Sequence, residues 1–366
     1  MKIFYSFLFF CFCISIHALS PDTLRQKIRA GAPEWMLSQI QRDLEPFKEK
    51  GISQLDVAAT LATLNDNRYN LRCKILNRRV YFSYQDPNSI MQNHPRLRML
   101  MYACKLLCKH YFLPDVDFVI SLHDSIDTTK FPSLPAPVFT FARNKHHPSL
   151  VLFPDPEAIG GYSLILEKVE KAKELYPFDK KIKKAFWRGA TTGGIYSINN
   201  WKNYPRAILT LFSEENPSLL DAKFTHVLQT VPGEPLEERL SKLGLIAPPV
   251  SVPDHLAYKY LVDIDGNSCT YSRLVWILHS NSLCLKQESP NELWYYSLLQ
   301  PYVHYLPFKE DMSDFAKQFA WAELHPKETL QMIDNANTLA KEALTQEDVF
   351  QYIYELLKAY ALLQRA

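Results

Sequence analysis

The sequence predicts an α/β protein with two packed lobes, and two observations support this prediction. The chain has 366 residues, which is more than a single hydrophobic core usually serves. Short apolar runs, which are typical of buried strands, alternate along the chain with segments of helical periodicity. The clearest apolar runs are 117–122, 138–141, 150–153 and 259–264. Helices are predicted at 97–111, 164–175, 206–212 and 271–279.

The boundary between the lobes is predicted near residue 177. We expect a first α/β lobe over 20–176, with a strand pair at its edge, and a second α/β lobe over 177–345. A basic linker over 177–184 leads into the second lobe. A final helix, 346–366, has apolar side chains on one face and is expected to pack back on the first lobe.

The first 19 residues resemble a signal peptide. One positive charge, Lys2, precedes an apolar run that ends near the small residues Ala18 and Ser20. The run is slightly shorter than the roughly 20 residues that span a bilayer comfortably. A cleaved signal peptide, an uncleaved membrane anchor and a buried N-terminal helix all remain open. A signal peptide or an anchor would place the protein in the secretory pathway or a bacterial envelope, and a retained leader would associate it with the membrane.

Charge and cysteine content exclude some classes of protein. Basic and acidic side chains number 41 and 39, which is too balanced for a dedicated nucleic-acid binder. Cys104 and Cys108 have helical spacing, but no second His/Cys pair has the spacing of metal ligands. We therefore expect both cysteines to be buried small hydrophobic residues, and we predict no metal site.

A glycine-rich stretch and the helix after it could hold a pyrophosphate. Residues 187–194 read WRGATTGG. Gly189 lets backbone amides approach an anion closely, while Thr191 and Thr192 add hydroxyl donors. Arg206 opens a helix whose N-terminus favours negative charge. These residue types together predict an anion-binding loop.

A second candidate segment follows the apolar run 258–264. The run ends at a turn containing Gly266, and the next helix carries Ser272 and Arg273 in its first turn, at the sheet edge where α/β proteins bind ligands. A guanidinium there could grip a phosphate with two hydrogen bonds. Arg188, in the first segment, could support the phosphate loop or pair with a carboxylate. Neither segment matches a dinucleotide fingerprint or a Walker loop, which disfavours kinases, ATPases and dehydrogenases.

These segments, in this order, resemble the signature blocks of glycosyltransferase family 90, which includes Rumi-type protein O-glucosyltransferases and sugar transferases that act on capsule and lipopolysaccharide. The matching blocks are FWRG and TTGG within 186–194, NW at 200–201, PR at 205–206, KYL at 259–261, DG at 265–266, SR at 272–273, SL at 282–283 and PYVHY at 301–305. The resemblance is strongest over about 115–315 and weak in the first hundred residues.

The resemblance implies a GT-B architecture, in which two Rossmann-like lobes enclose a cleft. It also implies an inverting, metal-independent enzyme that needs no cofactor beyond its UDP-sugar donor. The sugar, most often glucose or xylose, would be transferred to a hydroxyl of a protein or of a lipopolysaccharide or capsule glycan. Arg206 and Arg273 match the two diphosphate-binding arginines of the family. Ala190 stands where animal relatives have a phosphate-contacting serine, and Thr191 or Thr192 could substitute for that hydroxyl.

Asp124, at the end of an apolar run, matches the Asp that serves as the general base of the family. Relatives follow this Asp with an aromatic residue and Pro, whereas this chain has Ser125 and Ile126. Asp127 is the alternative base, and His123 is expected to be a loop residue. A non-catalytic binding protein of the same fold remains an alternative. A glycoside hydrolase would need a second carboxylate facing Asp124, and the sequence shows no clear one.

Overall fold

The structure is a computed structural model with two five-stranded sheets, each forming the centre of one lobe. It describes residues 19–64, 69–83, 94–126 and 129–365. Residues 1–18 of the predicted leader and the alternative base Asp127 lie outside these residues. Of the helices within them, none combines the length and the apolar character needed to cross a bilayer. The predicted two-lobed, GT-B-like α/β architecture is confirmed by the two sheets and the cleft between them.

The first lobe is built on a mixed sheet. Its elements are α1 (Pro21–Ala30), α2 (Glu34–Leu44), α3 (Gln54–Thr63), β1 (Asn70–Leu76), β2 (Arg79–Ser83), α4 (Pro95–His110), β3 (Val116–Ser121), β4 (Val138–Thr140), β5 (Arg143–Asn144), β6 (Leu150–Leu152) and α5 (Pro156–Ile159). The strand order is β2-β1-β3-β4-β6. β3, β4 and β6 run parallel, while β1 and β2 form the predicted antiparallel pair at the edge.

The second lobe is built on an all-parallel sheet. The elements of the remaining chain are α6 (Ser163–Leu175), β7 (Ile182–Gly189), α7 (Pro205–Glu215), β8 (Leu220–Phe224), α8 (Leu236–Lys242), α9 (Val252–His255), β9 (Tyr258–Asp263), α10 (Ser272–His279), β10 (Leu283–Gln287), β11 (Asn291–Glu292), β12 (Leu306–Phe308), α11 (Phe315–Leu324), α12 (Pro326–Ala343) and α13 (Gln346–Ala361). The strand order is β12-β10-β9-β7-β8. The chain therefore builds outward in opposite directions from β7 and β9, and a crevice opens where their carboxyl ends diverge.

Two strands of the second sheet differ from the predictions. β7 begins at Ile182, inside the segment that was predicted as a linker, and β8 was not predicted. α6, which lies within the predicted first lobe, packs on α9 and α10 of the second lobe.

The final helix packs back on the first lobe. α13 contacts α1, α2, α4, α5 and β3, and the hydroxyl of Tyr360 donates a hydrogen bond to the carbonyl of Asp117 in β3 (3.0 Å). A capping box made by Thr345 and Asp348 starts this helix afresh after α12. Residues from the end of the chain therefore complete the core of the first lobe.

Two hydrophobic cores stabilise the protein. One fills the first lobe and continues to the α10 face of the second sheet, while the other lies beneath α7 and α11 on the opposite face of that sheet. The five cysteines in the described residues are free and buried, which confirms the prediction for Cys104 and Cys108.

A two-stranded ladder joins the lobes on one side of the cleft. β5 of the first lobe pairs antiparallel with β11 of the second, so that Arg143 lies opposite Glu292. The Arg143 guanidinium forms ion pairs with Glu292 and with Asp43 of α2, both at 2.7 Å. Burial, the largest influence, raises the pKa of Asp43 to about 6 even with this partner. Backbone pairing and buried charges thus tie the two lobes together at this edge.

Two buried histidines make a contribution to stability that is lost in mild acid. Burial lowers the pKa of His255 and of His279 to about 4. Below the ordinary histidine value of 6.5 the unfolded chain binds protons at these two positions that the folded chain does not, so their contribution to the free energy of unfolding falls as the pH drops from about 6.5 to about 4. Thermal unfolding midpoints measured across this range should show a shallower slope for His255→Phe. The exposed His146 provides the control, and an equal change of slope in His146→Gln would contradict the assignment.

Candidate functional site

The cleft between the lobes contains a cavity of about 350 Å³. It lies beside the carboxyl ends of β7 and β9, where the strand order of the second sheet reverses. The first lobe contributes the end of β3, and the second contributes the loops after β7 and β9. The lining residues are His123, Asp124, Ser125, Gly193, Gly194 and Asn267. The predicted base and the predicted phosphate loop therefore face one cavity.

The two predicted phosphate-binding arginines lie close together. Arg206 donates hydrogen bonds to the carbonyls of Asp265 and Ala190, both at 2.9 Å, and Arg273 donates to the carbonyl of Arg188 (2.7 Å). Burial lowers the pKa of both arginines, and for Arg206 the charge of Arg273 adds to this effect and brings the pKa to about 10. Within the described residues, neither guanidinium has a carboxylate at ion-pair distance. Two neighbouring cations with no carboxylate at ion-pair distance are suited to binding an anion.

Two glycines allow the loops around Arg206 to approach each other. A Cβ on Gly266 would lie 2.5 Å from the Thr192 hydroxyl and 2.7 Å from Arg206 Nη2. Gly193 has φ of +102°, and a Cβ there would lie 2.7 Å from the Gly266 carbonyl oxygen. Larger residues at these positions would force the loops apart. The glycines therefore bring backbone amides next to the guanidinium groups.

Adjacent threonines have different environments in this loop. The Thr191 hydroxyl is buried, donates to the carbonyl of Leu228 (2.7 Å) and accepts from the amide of the same residue (2.6 Å). Its hydrogen-bonding capacity serves the fold, whereas Thr192 stands beside Gly266. Gly189 also has a packing role, because a Cβ there would lie 2.4 Å from the ring of Trp187.

Arg188 and Ser272 have partners that the sequence did not reveal. Two interpretations were left open for Arg188, and the structure shows the second, pairing with a carboxylate. Its guanidinium forms an ion pair with Asp221 of β8 at 2.8 Å. Its side chain is directed to that partner, while its carbonyl receives Arg273. The amide of Ser272 at the start of α10 donates to the Glu157 carboxylate of the first lobe (3.0 Å). A carboxylate therefore occupies the N-terminus of the helix that carries Arg273.

Asp124 accepts hydrogen bonds from residues of both lobes. Arg96 Nη2 lies 2.5 Å from its Oδ1, and Asn267 Nδ2 lies 3.1 Å from its Oδ2. Ser268 donates to its main-chain carbonyl (2.7 Å), and the Tyr271 hydroxyl lies 3.4 Å from Oδ1. Burial is the largest influence on its pKa and raises it, but the Arg96 charge and the Asn267 hydrogen bond outweigh burial and hold the pKa below its usual value. The carboxylate is therefore ionised at neutral pH.

Two residues of this cluster escaped the sequence analysis. Arg96 begins α4 and lies 28 residues before Asp124, so no local pattern connects them. Asn267 directly follows the predicted turn at Gly266, and that position was a usable signal. Among the residues that the structure describes, no three His, Cys, Asp or Glu side chains group closely enough to hold a metal ion.

These features define a two-lobed α/β protein in which a pair of neighbouring arginines lies beside a cleft that a carboxylate lines from the other lobe. The sequence profile described as glycosyl transferase family 90 matches residues 32–366, which is most of the chain. The chain belongs to that family, and the predicted resemblance is confirmed.

Comparison with individual proteins gives more distant similarities. Protein O-glucosyltransferase 2 of Danio rerio is 29% identical over 279 residues, which cover 74% of this chain and 52% of the relative. O-glucosyltransferase rumi of Drosophila melanogaster is 25% identical, with 88% of this chain and 76% of the relative covered. The chain spans about half the length of the first relative. A crystal structure of Anabaena HepE with UDP and glucose has a TM-score of 0.40 and 13% identity, covering 72% of this chain and 76% of HepE.

Proposed function

We propose that this protein is an inverting glycosyltransferase that moves glucose or xylose from a UDP-sugar to an acceptor hydroxyl. The observation that carries the proposal is the pair of neighbouring guanidinium groups, which among the described residues have no carboxylate at ion-pair distance, beside a cavity that Asp124 lines from the other lobe. A nucleoside diphosphate is an anion of the charge and length that such a pair can bind. Family membership supports sugar transfer as the reaction.

The proposed reaction is a single displacement. The acceptor oxygen attacks the anomeric carbon as Asp124 takes the hydroxyl proton, and the bond from that carbon to the diphosphate breaks with its electron pair going to UDP. Arg206, Arg273 and the N-terminus of α7 stabilise the charge on the departing diphosphate. Because base and leaving group lie on opposite lobes, attack comes from the face opposite the leaving group and inverts the anomeric centre.

The proposed reaction needs neither a metal nor another cofactor. In many enzymes a divalent cation neutralises the diphosphate. Here two guanidinium groups supply two positive charges, and charge-assisted hydrogen bonds to phosphate give the orientation that a metal would otherwise provide. We therefore expect sugar transfer to continue when divalent cations are chelated.

A protein hydroxyl is the favoured acceptor. Relatives named protein O-glucosyltransferase match three quarters of this chain, which supports it, while a lipopolysaccharide or capsule glycan is the other acceptor of the proposal. Both acceptors fit the secretory pathway or a bacterial envelope, where the apolar leader would direct the chain. Retention of the leader would add membrane association.

A panel of UDP-sugars tests the proposed function. With acceptor present, release of UDP should be fastest from UDP-glucose or UDP-xylose, and excess EDTA should leave the rate unchanged. The configuration of the product, determined by NMR, should be opposite to that of the donor. Binding of UDP-sugar without release of UDP from any member of the panel would favour the non-catalytic alternative, and retained configuration would refute the single displacement.

A further inference from the structure

The two oxygens of the Asp124 carboxylate have different kinds of partner. Oδ1 is held by Arg96, whose guanidinium also donates to the carbonyl of Leu122 at the end of β3 (2.6 Å). The central carbon of the same guanidinium lies 6.0 Å from the centroid of the Phe141 ring. The contacts of Arg96 all lie within the first lobe, whereas the Tyr271 hydroxyl of the second lobe lies farther from Oδ1, at 3.4 Å. Arg96 therefore fixes the carboxylate relative to the strand that carries it.

The other oxygen faces the second lobe. Asn267 Nδ2 donates to Asp124 Oδ2 (3.1 Å), and Asn267 Oδ1 accepts from the amide of Gly193 (3.1 Å). One neutral side chain thus bridges the carboxylate and the glycine-rich loop along the wall of the cavity. Its amide occupies hydrogen-bonding positions that an acceptor hydroxyl would need on Asp124 and that a donor oxygen would need on Gly193.

We infer that Arg96 is a positioning residue that orients Asp124 through Oδ1, and that Oδ2 takes the acceptor proton after the hydroxyl replaces Asn267. This inference rests on the proposed function. A single hydrogen bond from a neutral amide exchanges readily with one from a hydroxyl, whereas a partly buried charge-assisted contact does not. The proton passes from the acceptor oxygen to Oδ2, and the electron pair of that O–H bond forms the new glycosidic bond.

The charge of Arg96 also keeps the carboxylate ionised. Burial lowers the pKa of His123 to about 4 and raises the pKa of Tyr271 well above its usual value, so both are neutral near pH 7. Glu157 of α5 interacts electrostatically with Arg96. In the part of the chain that the structure describes, Arg96 is the one cation at ion-pair distance from Asp124. Without it, the effect of burial would raise the carboxylate pKa.

Substitutions of Arg96 separate its charge from its geometry. Arg96→Gln should move the acid limb of the kcat/KM profile upward by about 1 to 3 pH units. It should also lower turnover at pH 7 by about 10²-fold, because the carboxylate loses its orientation. Arg96→Lys keeps the charge and should restore the acid limb while recovering only part of the turnover. Affinity for UDP should stay at the wild-type value in both variants.

Arg72 provides a matched control. Arg72 pairs with Asp117 in the same lobe at 2.6 Å, and the pair lies outside the cavity lining. Arg72→Gln should lower the unfolding midpoint and leave the acid limb in place. If Asp124→Asn is inactive and the acid limb of Arg96→Gln coincides with the wild-type limb, the inference is overturned. Absence of transfer by the wild-type chain overturns the proposed function as well.

The assignment of Oδ2 has its own test, which does not depend on the folding of the Arg96 variants. Asn267→Ala removes the competing amide, so the acceptor hydroxyl no longer displaces it and the KM for acceptor should fall. A raised KM for acceptor would mean that Asn267 binds the acceptor, and it would overturn the assignment of Oδ2.

Discussion

Asp124→Asn is expected to abolish sugar transfer while the affinity for UDP is retained. The amide matches the carboxylate in size but cannot take a proton, and loss of a general base typically lowers the rate by about 10² to 10⁴-fold. The arginines that are proposed to bind the diphosphate lie on the other lobe, and neither of them is hydrogen-bonded to Asp124. Turnover with the preferred UDP-sugar and calorimetric titration with UDP measure the two quantities separately.

Asp117→Asn is the control for this experiment. Asp117 lies in β3, the strand that precedes Asp124, and it forms a partly buried ion pair with Arg72. Its substitution should lower stability but leave the chemical step intact. Undiminished turnover in Asp124→Asn would reject Asp124 as the base and would make Asp127 the next carboxylate to substitute.

Arg273→Ala is expected to weaken UDP binding by about 10²-fold, with Arg206→Ala giving a loss of similar size. Each guanidinium supplies charge-assisted hydrogen bonds worth roughly 1.5 to 3 kcal/mol apiece. Truncation removes these bonds and leaves the diphosphate with one cation instead of two. Calorimetric titration of each variant with UDP gives the change in affinity directly.

Charge-conserving and remote substitutions complete this second experiment. Arg273→Lys keeps the charge but loses the planar fork, so it should bind UDP with intermediate affinity. Arg239 is exposed on α8, and Arg239→Ala should bind UDP with wild-type affinity. Unchanged affinity in Arg273→Ala would reject the proposed role of Arg273.

The second half of the cleft could be predicted because its signals are local. An apolar run, a glycine turn and a helical pattern follow one another in β9, Gly266 and α10, and the structure has each of them at the predicted place. Arg206 and Arg273 open helices that follow two parallel strands, so the carboxyl edge of one sheet brings them together. The sheet edge explains why two residues distant in sequence could be assigned to one site.

The elements that escaped prediction depend on tertiary packing. β8 has the sequence LDAKF, in which buried and partly exposed residues alternate over only five positions, and its Asp and Lys give it the composition of a loop. The first three residues of β7 include an exposed Ile182 and two lysines, which read as a linker. β8 is a strand because it hydrogen-bonds to β7, and the start of β7 is a strand because it hydrogen-bonds to β9. No local sequence pattern reveals this pairing.

The environments of individual site residues were equally hidden. Thr191 and Thr192 are adjacent and chemically identical, and only the path of the chain through Gly193 decides which hydroxyl is engaged by Leu228. Arg96 reaches Asp124 because α4 begins next to the end of β3. Sequence could therefore name the groups that are proposed to carry the chemistry, but not the side chains that orient them.

The ladder between β5 and β11 restricts how the two halves of the molecule can move apart. Its backbone hydrogen bonds and the buried Arg143 guanidinium hold one margin of the cleft at a fixed separation. Sliding of one half past the other would break these bonds, whereas swinging about that margin would keep them. An opening motion that keeps these bonds is a rotation about that margin, and it separates the lobes most at the edge farthest from Arg143.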